Sequence, residues 1–300
     1  MYRKSPLFLI LLFSTRIFLL CTETPLPIQE AIFAGLRRSS YGCEPKNRND
    51  GWWADKAILL SKSISCKKKV IPVVIQIVSG FLSESGKTRF EFEKPASYTA
   101  STKNMTFKQP HNIDHDRALS VYDRKKVRVI LQLESGNSDI SNALEVVFKK
   151  FGHHPSVLGF GIDAEWYFYK ESKNKTGIPI SDVEAERWVQ KVLSFGQEYT
   201  LFIKHWKPDN LPPTFRHKNL WFLSDSQDFN SMDDILTEFR KWGEHYKNSS
   251  VGFQFGYIRD KRWWKKIRYP GKIISEKIIN NIPNVKYLFW VDFTASRIRF

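Results

Sequence analysis

Apolar, often β-branched runs alternate along this chain with polar or amphipathic stretches. Most runs are hydrophobic at nearly every position, which is typical of strands buried on both faces of a parallel sheet. We predict eight strands, of which the second has the weakest pattern. They are Val70–Val78, Thr88–Glu93, Val127–Glu134, Val157–Glu165, Thr200–Trp206, Leu220–Asp225, Val251–Tyr257 and Lys286–Phe293.

Helical patterns fill most of the intervals between these runs. Ser181 and Glu184 have the capping-box spacing, in which each side chain satisfies a backbone amide, and predict a helix to about Ser194. Further helices are predicted over Trp52–Ser63, Asp114–Lys125, Ser138–Phe151 and Ser231–Trp242. Strands alternating with helices predict an α/β protein, a single-domain (β/α)8 TIM barrel. A doubly wound open sheet is the alternative.

The amino terminus has a different pattern. Tyr2-Arg3-Lys4 carries positive charge, and the apolar stretch that follows as far as Cys21 is typical of a secretory signal peptide. We assign residues 1–22 to this signal and expect a secreted protein, outside the cell or on its surface, with an uncleaved membrane anchor as the alternative. Residues 23–69 are predicted to form an N-terminal helical and loop extension, and residues 70–300 the barrel.

Composition narrows the class of protein. Hydrophobic residues make up 42% of the 300 residues and aromatic residues 15%, which supplies a large core and excludes intrinsic disorder. The formal net charge of +16 favours a polyanionic partner without naming one. The three cysteines form no CxxC motif, which excludes a zinc ribbon, although Cys43 and Cys66 could pair outside the cell. We expect no cofactor and no metal, and nucleic acid is an unlikely partner for a secreted chain.

Polar and aromatic residues cluster at the carboxyl ends of the predicted strands, where TIM barrels hold their active sites. We predict that these residues meet at one mouth and bind a sugar, with aromatic rings stacked on its apolar faces. The predicted substrate-binding residues are Glu134, Tyr167, Lys204, His205, Trp206, Gln227, Gln254, Tyr257, Trp290 and Asp292.

Asp163 and Glu165 form the most specific pair. On an extended chain, residues two apart point to the same face, about 6–7 Å from each other. Their mutual repulsion raises the proton affinity of at least one carboxylate. We therefore predict Glu165 as a general acid, Asp163 as its partner, and Asp225 as a third catalytic residue.

The segment Leu158-Gly-Phe-Gly-Ile-Asp-Ala-Glu165 resembles the fourth-strand signature Asp-Gly-x-Asp-x-Asp-x-Glu of chitinase-like glycoside hydrolases of family 18. Gly159, Asp163 and Glu165 match, whereas Leu158 and Gly161 replace the first two aspartates. The resemblance implies a TIM-barrel glycosidase in which the glutamate protonates the leaving oxygen and the neighbouring aspartate orients the substrate.

Two more positions resemble that family. Trp290 matches the tryptophan that floors its sugar subsite, and Asp225 falls where its Met-x-Tyr-Asp motif ends, with Ser224 in place of the tyrosine. That replacement removes a residue of the acetamido-assisted step. Strings such as Trp290-Val-Asp-Phe-Thr also resemble uncharacterised secreted microbial proteins.

We therefore predict a secreted glycoside hydrolase-like protein that acts on a polysaccharide or oligosaccharide. If two protein carboxylates act, Asp225, Asp292 or Glu134 is the second. A separation from Glu165 of about 5–5.5 Å implies retention, and about 6.5–9.5 Å implies inversion. The alternatives are a non-catalytic, lectin-like barrel and a secreted polyanion-binding protein.

Two other motifs receive structural interpretations. His153 and His154 resemble a metal-binding pair, but they precede Pro155 at the amino end of a predicted strand, away from the predicted site, and we assign them to a loop. The basic segment Arg259–Arg268 contains Trp263 and Trp264. We interpret it as a helix with its tryptophans packed inward rather than as a nucleic-acid-binding surface.

Overall fold

A computed structural model describes residues 31–42, 48–109, 113–172 and 175–300. Strands and helices alternate along most of these residues. In chain order they are β1 (Ile32–Arg38), α1 (Asp50–Ser63), β2 (Val70–Ile77), β3 (Ser79–Leu82), β4 (Lys87–Phe90), β5 (Met105–Phe107), α2 (His115–Lys125), β6 (Arg128–Glu134), α3 (Ile140–Phe151), β7 (Val157–Asp163), α4 (Asp182–Leu193), β8 (Thr200–Lys204), β9 (Leu220–Ser224), α5 (Met232–His245), β10 (Ser250–Phe255), α6 (Lys261–Trp264), α7 (Pro270–Asn281) and β11 (Val285–Trp290).

Eight parallel strands close into a barrel, in the order β1, β2, β6, β7, β8, β9, β10 and β11. Closure occurs at β1, which pairs with β2 on one side and with β11 on the other, so that Leu36 aligns with both Val74 and Trp290. The predicted (β/α)8 TIM barrel is confirmed, and the open doubly wound sheet is wrong because the sheet has no free edge.

The position of the first barrel strand corrects the predicted domain boundary. Residues 32–38 form β1 and residues 50–63 form α1, so the barrel begins well before residue 70 and this part of the predicted extension belongs to it. The run Ile32–Leu36 is short, and Arg37 and Arg38 follow it directly, which gave the segment a polar character. Both arginines are nevertheless buried and paired with aspartates, Arg37 with Asp292 and Arg38 with Asp50.

The predicted second strand, Thr88–Glu93, is not in the barrel. Its residues overlap β4, which pairs antiparallel with β3 and parallel with β5 in a separate three-stranded sheet. This small sheet packs against the carboxyl end of β6, where the Phe81 amide donates to the Glu134 carboxylate at 3.1 Å and Thr88 donates to the Ser135 carbonyl. It therefore forms one wall of the barrel mouth.

Helix capping explains where the predicted helices begin. Asn49, Asp114, Asp139 and Ser231 each accept a backbone amide at the start of a helix, and Ser181 and Glu184 form the predicted capping box. The predicted helix in the basic segment is reduced to the single turn α6. Its tryptophans are buried as expected, and the Trp264 indole donates to the Tyr257 carbonyl at 3.0 Å.

The interior of the barrel is aromatic in its lower part. Side chains alternate along each strand, so one set faces the barrel axis and the other faces the helices. Inward-facing Trp221 stacks on Tyr287 with ring centroids 3.7 Å apart, Tyr287 stacks on Phe33 at 5.2 Å, and Phe202 packs on Trp221 at 4.8 Å. These rings fill the axis below the mouth.

Some predictions fall outside the described residues. The signal peptide at residues 1–22 lies there, as does Cys43, so its pairing with Cys66 stays a prediction. Within the described residues, the Cys66 thiol donates to the Lys68 carbonyl at 3.2 Å. None of the helices in the described ranges is both long enough and apolar enough to cross a membrane.

Candidate active site

The inward-facing positions change from aromatic to charged at the carboxyl end of the barrel. Arg37 on β1, Glu134 on β6, Asp163 on β7 and Lys204 on β8 share the inward phase of the rings below them, and Asp225 directly follows β9. They surround a cavity of about 310 Å³. Its lining residues are Arg37, Tyr41, Glu134, Asp163, Glu165, Trp166, Lys204, Asp225, Gln227, Tyr257 and Phe293. The structure therefore brings all three predicted catalytic residues to one cavity at the expected end of the barrel.

Lys204 lies between two of the carboxylates. Its ammonium nitrogen is 2.7 Å from Asp163 Oδ2 and 2.6 Å from Asp225 Oδ2, and all three side chains are buried. Burial alone would lower the pKa of Lys204, but the carboxylates of Asp163 and Asp225 raise it well above its usual value. Lys204 is therefore a buried cation that bridges the two carboxyl groups. Burial raises the pKa of Asp163, and the charge of Lys204 opposes that shift.

Glu165 leaves the strand in a single 3-10 turn, Ala164–Trp166, whose amide at Glu165 donates to Asp163 Oδ1 at 3.3 Å. This turn directs the Glu165 carboxyl into the cavity beside Asp163 and Asp225. Burial, followed by the negative charge of Asp225, raises the pKa of Glu165 to about 9. Glu165 is thus a carboxylic acid that keeps its proton at neutral pH.

Glu134 is the second glutamate with a raised pKa, but hydrogen bonds already occupy both of its carboxylate oxygens. Its Oε1 accepts from the Tyr41 hydroxyl at 2.5 Å, and its Oε2 accepts from the Phe81 amide. Burial and the negative charge of Asp163 raise the pKa of Glu134 to about 7. Because both oxygens already accept hydrogen bonds, Glu134 contributes mainly to the shape and charge of the wall.

Asp225 is the most available acceptor in the cavity. Its Oδ2 contacts Lys204, whereas its Oδ1 is buried with no hydrogen-bond partner among the described residues. A buried carboxylate oxygen without a donor is costly in a folded protein. Such an oxygen is suited to contact a substrate or a water molecule that enters the cavity.

A wider cleft of about 760 Å³ adjoins this cavity and shares Glu165, Asp225 and Gln227 with it. The indole of Trp206 lines it and is 40% exposed, and the Lys207 ammonium lies 4.4 Å from that ring centroid. An exposed aromatic ring beside polar groups is a suitable platform for a sugar ring. Trp206, Gln227 and Tyr257 thus lie where the sequence predicted them.

Five predicted binding residues line neither the cavity nor the adjoining cleft. Trp290 and His205 have the opposite strand phase: Trp290 packs against Trp264 with ring centroids 5.1 Å apart, and the His205 ring contacts the Thr176 carbonyl at 2.8 Å. Tyr167 packs on Trp188 and donates to Glu184. Trp290, His205 and Tyr167 therefore do not line the cavity, and their contact with substrate stays a prediction.

The other two, Gln254 and Asp292, support residues that do line the cavity. Gln254 accepts from the Tyr257 hydroxyl at 2.9 Å. Asp292 accepts from Arg37 at 2.7 Å and from Ser39, so both its oxygens are used within the protein. Asp292 and Gln254 are positioning residues. Arg37, rather than Asp292, faces the cavity.

Sequence reasoning missed Arg37, Tyr41 and Phe293 as cavity residues. The Arg37 guanidinium packs on the Phe293 ring at 4.7 Å and near Tyr41 at 5.6 Å, which holds the cation at the rim. A signal for Arg37 was present, because it ends an apolar run in the manner of the other strands. Tyr41 and Phe293 lie in loops, where no periodic pattern marks them.

Comparisons with known proteins support the barrel fold. No protein-family model matches the sequence, and no curated protein matches it. Two solved glycoside hydrolases of subfamily GH5_18 have similar folds, each 11% identical with a TM-score of 0.51. The one from Bifidobacterium longum subsp. longum covers 87% of this chain and 69% of its own, and the one from subsp. infantis 86% and 68%. Both neighbours belong to glycoside hydrolase family 5 rather than family 18, and at this identity the likeness shows a shared TIM-barrel fold.

Proposed function

We propose that this protein is a secreted glycoside hydrolase that acts on a polysaccharide or oligosaccharide. The carrying observation is the carboxyl group of Glu165, which retains its proton beside the Lys204-bridged pair Asp163 and Asp225 at the mouth of the barrel. Glycoside hydrolysis needs one protonated and one ionised carboxyl group on either side of the scissile bond. The shared barrel fold of glycoside hydrolases supports the same assignment.

Glu165 acts as the general acid in this proposal. A pKa of about 9 keeps its proton available at neutral pH, where it can be donated to the glycosidic oxygen as the bond breaks. Asp163 holds the amide of Glu165 and one side of Lys204, which fixes the acid and the cation relative to each other. Asp163 is therefore a positioning residue.

Asp225 acts as the second carboxylate. The Lys204 ammonium contacts its Oδ2 at 2.6 Å, and its unpartnered Oδ1 has a lone pair available to the sugar carbon or to an attacking water molecule. Glu134 and Asp292 are weaker candidates because hydrogen bonds from Tyr41, Phe81, Arg37 and Ser39 already occupy their oxygens. The cleft beside Trp206 and Gln227 would hold the sugar units that flank the cleaved bond.

The test is hydrolysis of a panel of α- and β-linked glycans by the purified chain and by its Glu165→Gln variant. We expect the variant to lose at least about 100-fold in kcat while its glycan binding is retained, since the amide cannot donate the acid proton. A Glu198→Gln variant, on an exposed residue before β8, is the matched control and should keep full activity. Equal rates for Glu165→Gln and the unchanged protein would refute the acid assignment.

A lectin-like barrel is the second candidate, favoured by the exposed Trp206 in the cleft. It predicts glycan binding without hydrolysis, and loss of binding in Trp206→Ala. The polyanion alternative predicts binding that collapses between low and moderate salt and does not depend on Trp206. Secretion is tested by expressing the full chain in a secreting host and determining the amino terminus of the exported protein by mass spectrometry.

A further inference from the structure

Two histidines and two aspartates form a cluster on the outer flank of the barrel, away from the mouth. His153 and His154 lie in the turn that leads into the amino end of β7, and Asp116 and Asp123 lie two turns apart on one face of α2. Ligand atoms of Asp116, His153 and His154 all lie within 4.8 Å of one another. The sequence pattern predicts an ordinary loop for the histidine pair, because it does not show that Asp116 lies beside the two histidines.

The hydrogen bonding of His154 sets the state of its free nitrogen. Its Nδ1 is 2.6 Å from Asp123 Oδ2, which leaves Nε2 as the ring nitrogen that faces away from Asp123. His154 is only 6% exposed, and its Nε2 is buried without a hydrogen-bond partner. This nitrogen lies 3.7 Å from Asp116 Oδ1, which is too far for a hydrogen bond. A buried ring nitrogen and a carboxylate oxygen therefore face each other across a short gap.

We propose that Asp116, His153 and His154 bind a zinc ion, with Asp123 orienting His154 from behind. Two imidazole nitrogens and one carboxylate oxygen are a common zinc donor set, with a fourth position left for water. A histidine ligand that donates its other ring nitrogen to a carboxylate is the usual supporting arrangement at zinc sites.

The groups can reach the required geometry by small side-chain movements. Zinc ligands at bond lengths of about 2.0 Å lie roughly 3.3 Å apart in a tetrahedron, so the present spacing must contract by about an ångström. The Asp116 side chain is 43% exposed and His153 is exposed, so both can move. Lys150, whose ammonium is 2.7 Å from Asp116 Oδ2, is the cation that the zinc ion would displace.

The ion would join α2 to the turn before β7. These two segments are separated in sequence by β6 and α3, and the amino ends of barrel strands contribute to stability rather than to catalysis. Because zinc would bind the folded chain and not the unfolded one, it should raise the melting temperature. The site is thus a structural clamp that is independent of the proposed glycosidase activity.

The experiment uses the full chain, stripped with a chelator and carrying no histidine tag. Titration with zinc chloride, followed by calorimetry and by thermal melting, should give one ion per chain and a higher melting temperature. His153→Ala should weaken zinc binding at least tenfold without unfolding the protein, because His153 is exposed. His245→Ala, on an exposed histidine of α5, should bind zinc as tightly as the unchanged chain.

A second variant tests whether Asp116 is a zinc ligand. Lys150→Met removes the competing ammonium, so it should bind zinc more tightly than the unchanged chain if Asp116 is a ligand. Substoichiometric zinc in the unchanged chain, equal affinity in His153→Ala, or no gain in Lys150→Met would each overturn the proposal. In those cases the cluster is an ion-pair network of Lys150, Asp116, His154 and Asp123.

Discussion

The lower and upper parts of the barrel interior share one geometry and differ in chemistry. Phe202 and Lys204 lie two residues apart on β8 and face the same axis, yet Phe202 packs on Trp221 and Lys204 bridges Asp163 and Asp225. Burying aromatic surface stabilises the fold directly. Burying three charges is costly, and their mutual attraction compensates for it only where the contacts are short and complete.

This difference indicates what each layer contributes. A barrel filled to the top with apolar side chains would be at least as stable, since buried ion pairs are often replaced by hydrophobic groups without loss. The charged layer also leaves an unpartnered carboxylate oxygen on Asp225 and a carboxylic acid with a raised pKa at Glu165. Such local costs are expected at functional sites and not in a structural core.

The largest effect should come from Asp225→Asn. The amide lacks the charge of a nucleophile or base, so glycan hydrolysis should fall by about 10⁴-fold, at the upper end of what a single general base contributes. The measurement is kcat on the substrate identified in the Glu165 experiment, with exposed Asp55→Asn as the control. Activity of Asp225→Asn within tenfold of the unchanged chain would transfer the role to Glu134.

NMR of the first product anomer sharpens the same assignment. Retention of configuration would make Asp225 a nucleophile, and inversion would make it the base that activates water. Either outcome is compatible with the position of Asp225 beside Lys204. Release of both anomers at the earliest time point, before mutarotation, would contradict a direct role for the carboxylate pair.

Lys204→Met should have the next largest effect, on stability. Removing the cation leaves Asp163 and Asp225 buried and unpaired, which costs about 3–5 kcal/mol in the free energy of unfolding at neutral pH. The loss should shrink in acid, because burial raises the pKa of Asp163 and its protonation removes an unpaired charge. Urea denaturation measures this loss in the free energy of unfolding. Lys125→Met, at an exposed lysine 2.6 Å from Asp55, should change stability by less than about 0.5 kcal/mol. Equal effects of the two substitutions would show that the charged layer carries no special strain.

The fold was predictable because its signal is local and repeated. Seven of the eight predicted runs coincide with barrel strands, and the capping residues Ser181, Glu184 and Ser231 begin helices as expected. The run Thr88–Glu93 failed because strand propensity does not identify a strand's partner. The strand Ile32–Arg38 was not predicted because its two arginines gave the segment a polar character. Only the folded chain shows that Asp50 and Asp292 pair with them.

The sequence predicted at which end of the strands the site lies, but not which side chains of each strand face the barrel interior. Where both faces of a strand are buried and apolar, alternation leaves no polar marker, so Lys204 and His205 could not be told apart, nor could Trp290 be assigned to the outer face. Interactions across the barrel, such as Lys204 with Asp225 or Arg37 with Asp292, join residues from distant strands. Their geometry depends on barrel closure, which the sequence pattern predicts but does not measure.

The raised pKa values predict a pH dependence of stability. Glu134 and Glu165 have pKa values of about 7 and about 9 in the folded protein, above the usual value of about 4.3 in an unfolded chain. The folded state therefore holds these protons more tightly, so the free energy of unfolding should fall as the pH rises from about 5 through 7 and 9. The slope is at most about 1.4 kcal/mol per pH unit for each group.

Melting curves across this range test the assignment. Glu134→Gln should remove its share of the decline between about pH 4.3 and 7, and Glu165→Gln its share between about pH 4.3 and 9, because neither amide titrates. The exposed Glu198→Gln variant should follow the unchanged chain at every pH. A double variant that keeps the full decline would place the titrating groups outside the charged layer.

The smallest expected effect lies in the lower layer. Trp221→Phe shortens the stack with Tyr287 and leaves a small cavity, but the Trp221 indole nitrogen has no hydrogen-bond partner among the described residues to lose. We expect a loss of roughly 1–2 kcal/mol in the free energy of unfolding, measured with urea. Glycan hydrolysis should stay within about twofold, because the ring lies below the cavity and does not line it. If Trp221→Phe lowered kcat as strongly as Asp225→Asn, the two layers would act as one unit, and the separation of stability from chemistry along the barrel axis would be wrong.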